Sequence, residues 1–211
     1  MKKIATIFLF SLVIAACGSS DDDEAVDAGN NPTFDAGNNP TFDAPPQANC
    51  LAANDLGSPT LVNEGGQFCG TIDVPTFFTY VGGVNADAQP DVLGLELYAN
   101  FGAFAGGPIA TGTYPITGDE LNYASCGVCV RLLTDFTGSA FADDGYMATA
   151  GSVTITSINP LAATVSGIAF EHVTIDANNN FTSTAHADGC TSALTAATLA
   201  PAAATEAMGC P

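Results

Sequence analysis

Positive charge is almost absent from this chain. Its 211 residues include 3 Lys plus Arg against 22 Asp plus Glu. Lys2 and Lys3 stand at the N-terminus, so Arg131 is the only Lys or Arg in the rest of the sequence. Contacts to nucleic acid and to anionic lipid headgroups depend on Lys and Arg, so neither is expected to bind its surface. Histidine is scarce too, with 2 in all. No Gly-x-Ser-x-Gly motif accompanies them, which leaves no recognisable Ser-His-Asp hydrolase pattern. Helical periodicity is missing throughout, which excludes a helix bundle. No apolar run reaches the roughly 20 residues that a membrane-spanning helix needs.

One shorter apolar run carries an address. Lys2 and Lys3 precede Ile4 to Ile14, followed by the small residues Ala15 and Ala16. This is the three-part layout of an export signal, here residues 1–16. Ile14-Ala15-Ala16-Cys17 has the lipobox arrangement, a thiol beside small residues directly after an apolar segment. The expected product is a lipoprotein cut before Cys17, with diacylglycerol on its thiol and a further acyl (palmitate-type) chain on its amine. Each buried CH2 contributes about 0.8 kcal/mol, so two or three chains hold the protein permanently. Gly18 stands where an inner-membrane retention signal would place Asp, which favours the outer membrane. The mature chain then sets 22 carboxylates against Arg131 alone, a formal charge of about −21. Such acidity admits divalent-cation binding, but solubility accounts for it, because the carboxylates beyond the N-terminal tract are scattered.

Residues 17–49 read as the lipidated cysteine and an acidic repeat tether. Asp21-Asp22-Asp23-Glu24 is followed by the octapeptide Asp-Ala-Gly-Asn-Asn-Pro-Thr-Phe, written once from Asp27 and again from Asp35. This composition cannot bury a core and is expected to be disordered, with a reach of about 30 Å. The EF-hand pattern of alternating oxygen ligands is absent from it.

Residues 50–211 are expected to form a single β domain. Leu93, Leu95, Leu97, Ala99 and Phe101 alternate with Glu96, Tyr98 and Asn100; Val128, Val130 and Leu132 alternate with Cys129 and Arg131. Val153 and Ile155 alternate with Ser152, Thr154 and Thr156. Period two marks strands with one buried face. Gly70 to Val74, Phe77 to Val81, Thr164 to Ile175, Phe181 to Ala187 and Ser192 to Leu199 are further strands, with turns at Gly82-Gly83, Asp143-Asp144-Gly145 and Asn159-Pro160. The fold class is all-β, an antiparallel β-sandwich, with a β-barrel as the alternative.

Beyond Cys17, six cysteines remain: Cys50, Cys69, Cys126, Cys129, Cys190 and Cys210. An even number in an oxidising compartment predicts three disulfides, with 15 connectivities open. Cys126-Gly127-Val128-Cys129 has redox spacing, but a strand succeeds it, not the helix that would stabilise a thiolate. A four-cysteine zinc site lacks a second close pair. The two cysteines would face opposite sides of a regular strand, so a direct bond needs a turn or bulge, which Gly127 can supply.

Tyr123-Ala-Ser-Cys-Gly-Val-Cys129, Ala150 to Ser157 and Val165-Ser-Gly167 resemble segments of surface lipoproteins of myxobacteria and their relatives, over about half of the domain. The resemblance implies a lipid-anchored, cysteine-containing β domain and assigns no functional residue.

Three polar features remain. Arg131 is expected to meet a neighbouring carboxylate, Glu96 among the candidates. Asp176 to Asn180 begins like an EF-hand, but Phe181 and Ala187 replace the required Gly and Glu, so it reads as a hairpin turn. Across that turn Val173 should face Ala185, which sets His172 opposite His186. Two opposed imidazoles can hold a transition metal if a loop carboxylate joins them. No carboxylate stands at matching strand spacing, so two exposed histidines in contact through register are the favoured reading. No cofactor and no catalytic residue are expected. The function read from the sequence is a non-enzymatic binding or structural module for an envelope or extracellular protein or glycan. The alternative is a small hydrolase or ligand carrier with a loop-assembled site.

Overall fold

The computed structural model describes residues 50–85, 89–136, 145–201 and 204–207. The export signal, Cys17, the repeat tract, Asp143-Asp144 and Cys210 lie outside the described residues. Among the described residues, ten strands form one hydrogen-bonded sheet: β1 (Val62–Thr71), β2 (Val74–Gly83), β3 (Val92–Tyr98), β4 (Gly112–Pro115), β5 (Val128–Leu133), β6 (Gly145–Ile158), β7 (Leu161–Asp176), β8 (Thr182–Ala185), β9 (Thr191–Leu199) and β10 (Ala204–Glu206). The order is β10-β1-β2-β3-β5-β6-β7-β8, with β4 on β6 and β9 on β7. All pairs are antiparallel except β1 with β10, so the sheet is mixed. Among the described residues its end strands do not pair with each other, so the fold is sandwich-like and not a closed barrel.

The two long strands make the layers. The first half of β6 pairs with β5 and its second half with β4; β7 pairs first with β9 and then with β8. Register slips lie between Ala148 and Ser152, and Gly151 and Gly167 adopt φ of +111° and +60°. Such backbone favours glycine, and a slip of one residue swaps the faces of a strand. Buried positions accordingly change from Tyr146 and Ala148 to Val153 and Ile155 along β6. Along β7 they change from Ala163 and Val165 to Ile168 and Phe170. The sheet thus bends at this corner and closes one core around Leu93, Leu95, Leu97, Val130, Val153, Val165 and Leu199.

Three sequence expectations need correction. Gly70 to Val74 is not one strand: Gly70 and Thr71 end β1, Val74 starts β2, and Ile72 and Asp73 connect them as a hairpin. Gly82 and Gly83 are not a turn; they end β2, paired to β3. β3 and β5 are buried on both faces, not one, because the segment after β4 crosses the second face. Tyr123 from that segment packs there with Cys126, Cys129, Met147 and Val173. Glu120, also buried, fixes the crossing: its carboxylate accepts N–H groups from Ala103 (2.6 Å), Gly127 (3.0 Å) and Val128 (2.5 Å). Burial, the largest influence, raises its pKa above the ordinary carboxylate value although these three bonds act to lower it.

Candidate functional site

The cysteines are structural first. Cys50 bonds Cys190 across a sequence separation of 140, and Cys126 bonds Cys129. Cys69 is disulfide-bonded as well. The Cys126–Cys129 bond closes because Cys126 precedes β5 and Gly127 bends the chain between them. Only glycine fits there, since an added Cβ would collide with the Phe101 carbonyl. Both cysteines are fully buried in the second apolar cluster, and Cys129 lies within β5, not at the start of a helix. The arrangement lacks the exposed, electropositive setting of a reactive thiol.

Beside that disulfide lies a polar cluster on the second face. Arg131 Nη1 donates to Glu96 Oε1 at 3.3 Å, the pairing expected from strand neighbours, since Glu96 faces Cys129 across β3–β5 and Arg131 lies two residues on. The hydroxyls of Tyr98 and Tyr123 each donate to Glu96 Oε2 at 2.6 Å. The guanidinium lies 5.0 Å from the Tyr123 ring centroid. Arg131 is 2% exposed, so this pair is interior and not on a solvated face. Burial, then the Glu96 charge, pushes both phenols far above their ordinary range, so they remain neutral donors.

The second cluster sits at the margin of the main core. The β7–β8 hairpin turns through Asn180 and Phe181 in left-handed backbone, and Asp176 Oδ1 accepts the Asn178 N–H, as a turn and not a calcium loop. Val173 faces Ala185, and the His186 N–H donates to the His172 carbonyl at 2.8 Å, the register expected from the sequence. Beyond this point β9 takes over from β8 along the same edge of β7, starting with Thr191 opposite Glu171. Residues 186–190 therefore occupy the place that faces His172 alone. This wide bulge is pinned at its far end, where the His172 N–H donates to the Cys190 carbonyl at 2.9 Å and Cys190 bonds Cys50.

The bulge aims two side chains at His172. Asp188 Oδ2 lies 2.6 Å from His172 Nδ1 and 2.9 Å from His186 Nδ1. The imidazoles stack at 4.4 Å, and Tyr146 stacks on the other side of His172 at 5.1 Å. Asp188 Oδ1 accepts the Cys190 N–H at 3.0 Å. That bond leads the influences that lower the Asp188 pKa and keep it ionised. His172 is buried, contrary to the expected pair of exposed histidines, while the His186 side chain is 45% exposed. One ring nitrogen of each histidine and a carboxylate oxygen of Asp188 lie within 4.8 Å of one another, close enough to act as ligands to one ion. Asp188 is the residue that strand spacing could not reveal, because it belongs to the bulge and not to a ladder.

No protein-family model matches the chain, nor does any curated protein or solved structure. The site must speak through its own chemistry.

Proposed function

We propose that this chain is a lipid-anchored protein of the bacterial envelope that presents a non-enzymatic β-sandwich binding module on an acidic tether. The observation that carries the reading is the set of disulfide-bonded cysteines, Cys50, Cys69, Cys126, Cys129 and Cys190. Disulfides persist outside the reducing cytosol, in agreement with an export signal cut before Cys17. Three buried or half-buried carboxylates also support binding over catalysis, because they hold the fold. Glu120 holds backbone N–H groups, Glu96 holds Arg131 and two tyrosines, and Glu64 accepts Tyr80 Oη–H at 2.7 Å and the Ala200 N–H at 2.9 Å. Gly18 after the lipidated cysteine favours the outer membrane, and the likeness to myxobacterial surface lipoproteins agrees with that address.

Metabolic labelling with a tagged fatty acid tests the anchor. Wild-type chain should carry the label in the membrane fraction. Cys17→Ser should carry none and should accumulate as unprocessed precursor or as released protein. Equal labelling of the variant contradicts the reading.

A further inference from the structure

We infer that His172, His186 and Asp188 form a binding site for one divalent transition cation, of the zinc or copper(II) class. The donor set decides the class. Imidazole suits zinc and copper, and two imidazoles with one carboxylate form a recurrent three-ligand set that leaves a further position for water or another ligand. Calcium and magnesium prefer all-oxygen cages and would find one carboxylate oxygen here.

The local architecture is built around this convergence. Five residues bulge out opposite His172, and bulges recur where a side chain must be re-aimed. The bulge is fastened to β7 on both sides of His172, by the His186 and Cys190 backbone bonds, and it ends on the Cys50–Cys190 disulfide. Asp188 is oriented by the Cys190 N–H on Oδ1, which leaves Oδ2 directed at both rings. An oriented carboxylate and a ring clamped by burial are what a ligand set needs before the ion arrives. The net negative charge of the chain raises the local concentration of cations.

The present separations of 2.6 and 2.9 Å are hydrogen-bond lengths. Ligands around a tetrahedral ion with bonds of 2.0–2.1 Å stand about 3.3 Å apart. Binding thus replaces the two Nδ1–Oδ2 contacts with metal bonds, sends any proton held on those Nδ1 atoms to Nε2 of the same ring or to solvent, and parts the atoms by about half an ångström. It also turns the His186 ring, because two nearly parallel rings (29° between planes) cannot both direct an in-plane lone pair at one ion. His186 is the half-exposed member and lies in the bulge, so the movement falls where packing resists least. His172, wedged against Tyr146, is the fixed ligand.

The chain has 2 histidines, so [15N]histidine labelling of the full, tag-free protein reports on this site alone. Zinc chloride added to stoichiometry should shift the Nδ1 resonances of both imidazoles, while calcium chloride should leave them in place. Zinc affinity should fall roughly 100-fold in His186→Ala and roughly 10-fold in Asp188→Asn. Both substitutions lie in the partly exposed bulge, and the wild-type spectrum decides the matter if either variant folds poorly. Imidazole resonances unmoved by excess zinc, or a shift confined to His186, would overturn the site. So would unchanged affinity in both variants. The lipid label and this spectrum fail independently, because the label is read at Cys17 and the spectrum at His172 and His186.

Discussion

Removing the Cys50–Cys190 bond as Cys50→Ala with Cys190→Ala is expected to cost about 4–5 kcal/mol of unfolding free energy. The bond spans a sequence separation of 140. Loop-closure entropy grows with the logarithm of loop length, so this cross-link restricts the unfolded chain far more than a short one does. Cys126–Cys129, with a separation of 3, should give about 2 kcal/mol by the same relation. Urea melts of the two double-alanine variants and the parent should therefore rank them in that order. The long-loop variant should lose about 10–20 °C in melting temperature. An equal or smaller loss than in the short-loop variant would show that loop entropy does not govern these bonds. The bulge that carries His186 and Asp188 ends on Cys190, so the same variant should also bind zinc more weakly.

Glu96→Ala should be nearly as damaging, at about 3–5 kcal/mol, because it takes away a carboxylate that pairs with a buried guanidinium. Arg131 is 2% exposed and its side chain cannot reach bulk water without disrupting the second-face cluster. The substitution also removes the acceptor of two tyrosine hydroxyls. The diagnostic result is the double variant. Glu96→Leu with Arg131→Met should be more stable than either single substitution, since replacing both ions removes the desolvation cost together with the attraction. If the double variant loses the sum of the two singles, the pair is not acting as a buried ion pair. A pH titration gives an independent check. Tyr98 and Tyr123 have pKa values raised on folding, so their contribution is present below the ordinary phenol value. It is lost as pH rises, so stability should fall above about pH 10. In that range their ionisation, followed by ultraviolet absorbance, should coincide with unfolding.

Much of this architecture was legible where the side-chain pattern repeats every two residues. Leu93, Leu95 and Leu97 face the core as alternation requires, and the same pattern brought Arg131 to Glu96 and His172 to His186. The hidden parts depend on contacts that leave no period. β1 runs through Asn63, Glu64, Gly65 and Gly66, and β4 and β10 are short strands with few large apolar residues. The cover over the second face comes from an irregular segment held by Glu120, whose partners are backbone groups and so write nothing into the sequence. The corner at Gly151 and Gly167 changes which residues face inward, so a single alternation could not be traced along β6 or β7. Asp188 was missed for a related reason. A bulge places a side chain by the length of chain looped out, and strand counting assumes that nothing is looped out.

The central claim is that an exported, lipidated chain carries this oxidised β-sandwich. Intact-mass spectrometry of the protein taken from the native envelope without reducing agent tests it most directly. The expected mass is that of a chain beginning at Cys17, increased by diacylglycerol and an N-acyl group. Alkylation before analysis should add nothing at Cys50, Cys69, Cys126, Cys129 or Cys190. A chain that begins elsewhere, an unmodified Cys17, or alkylated thiols among those five would contradict the account.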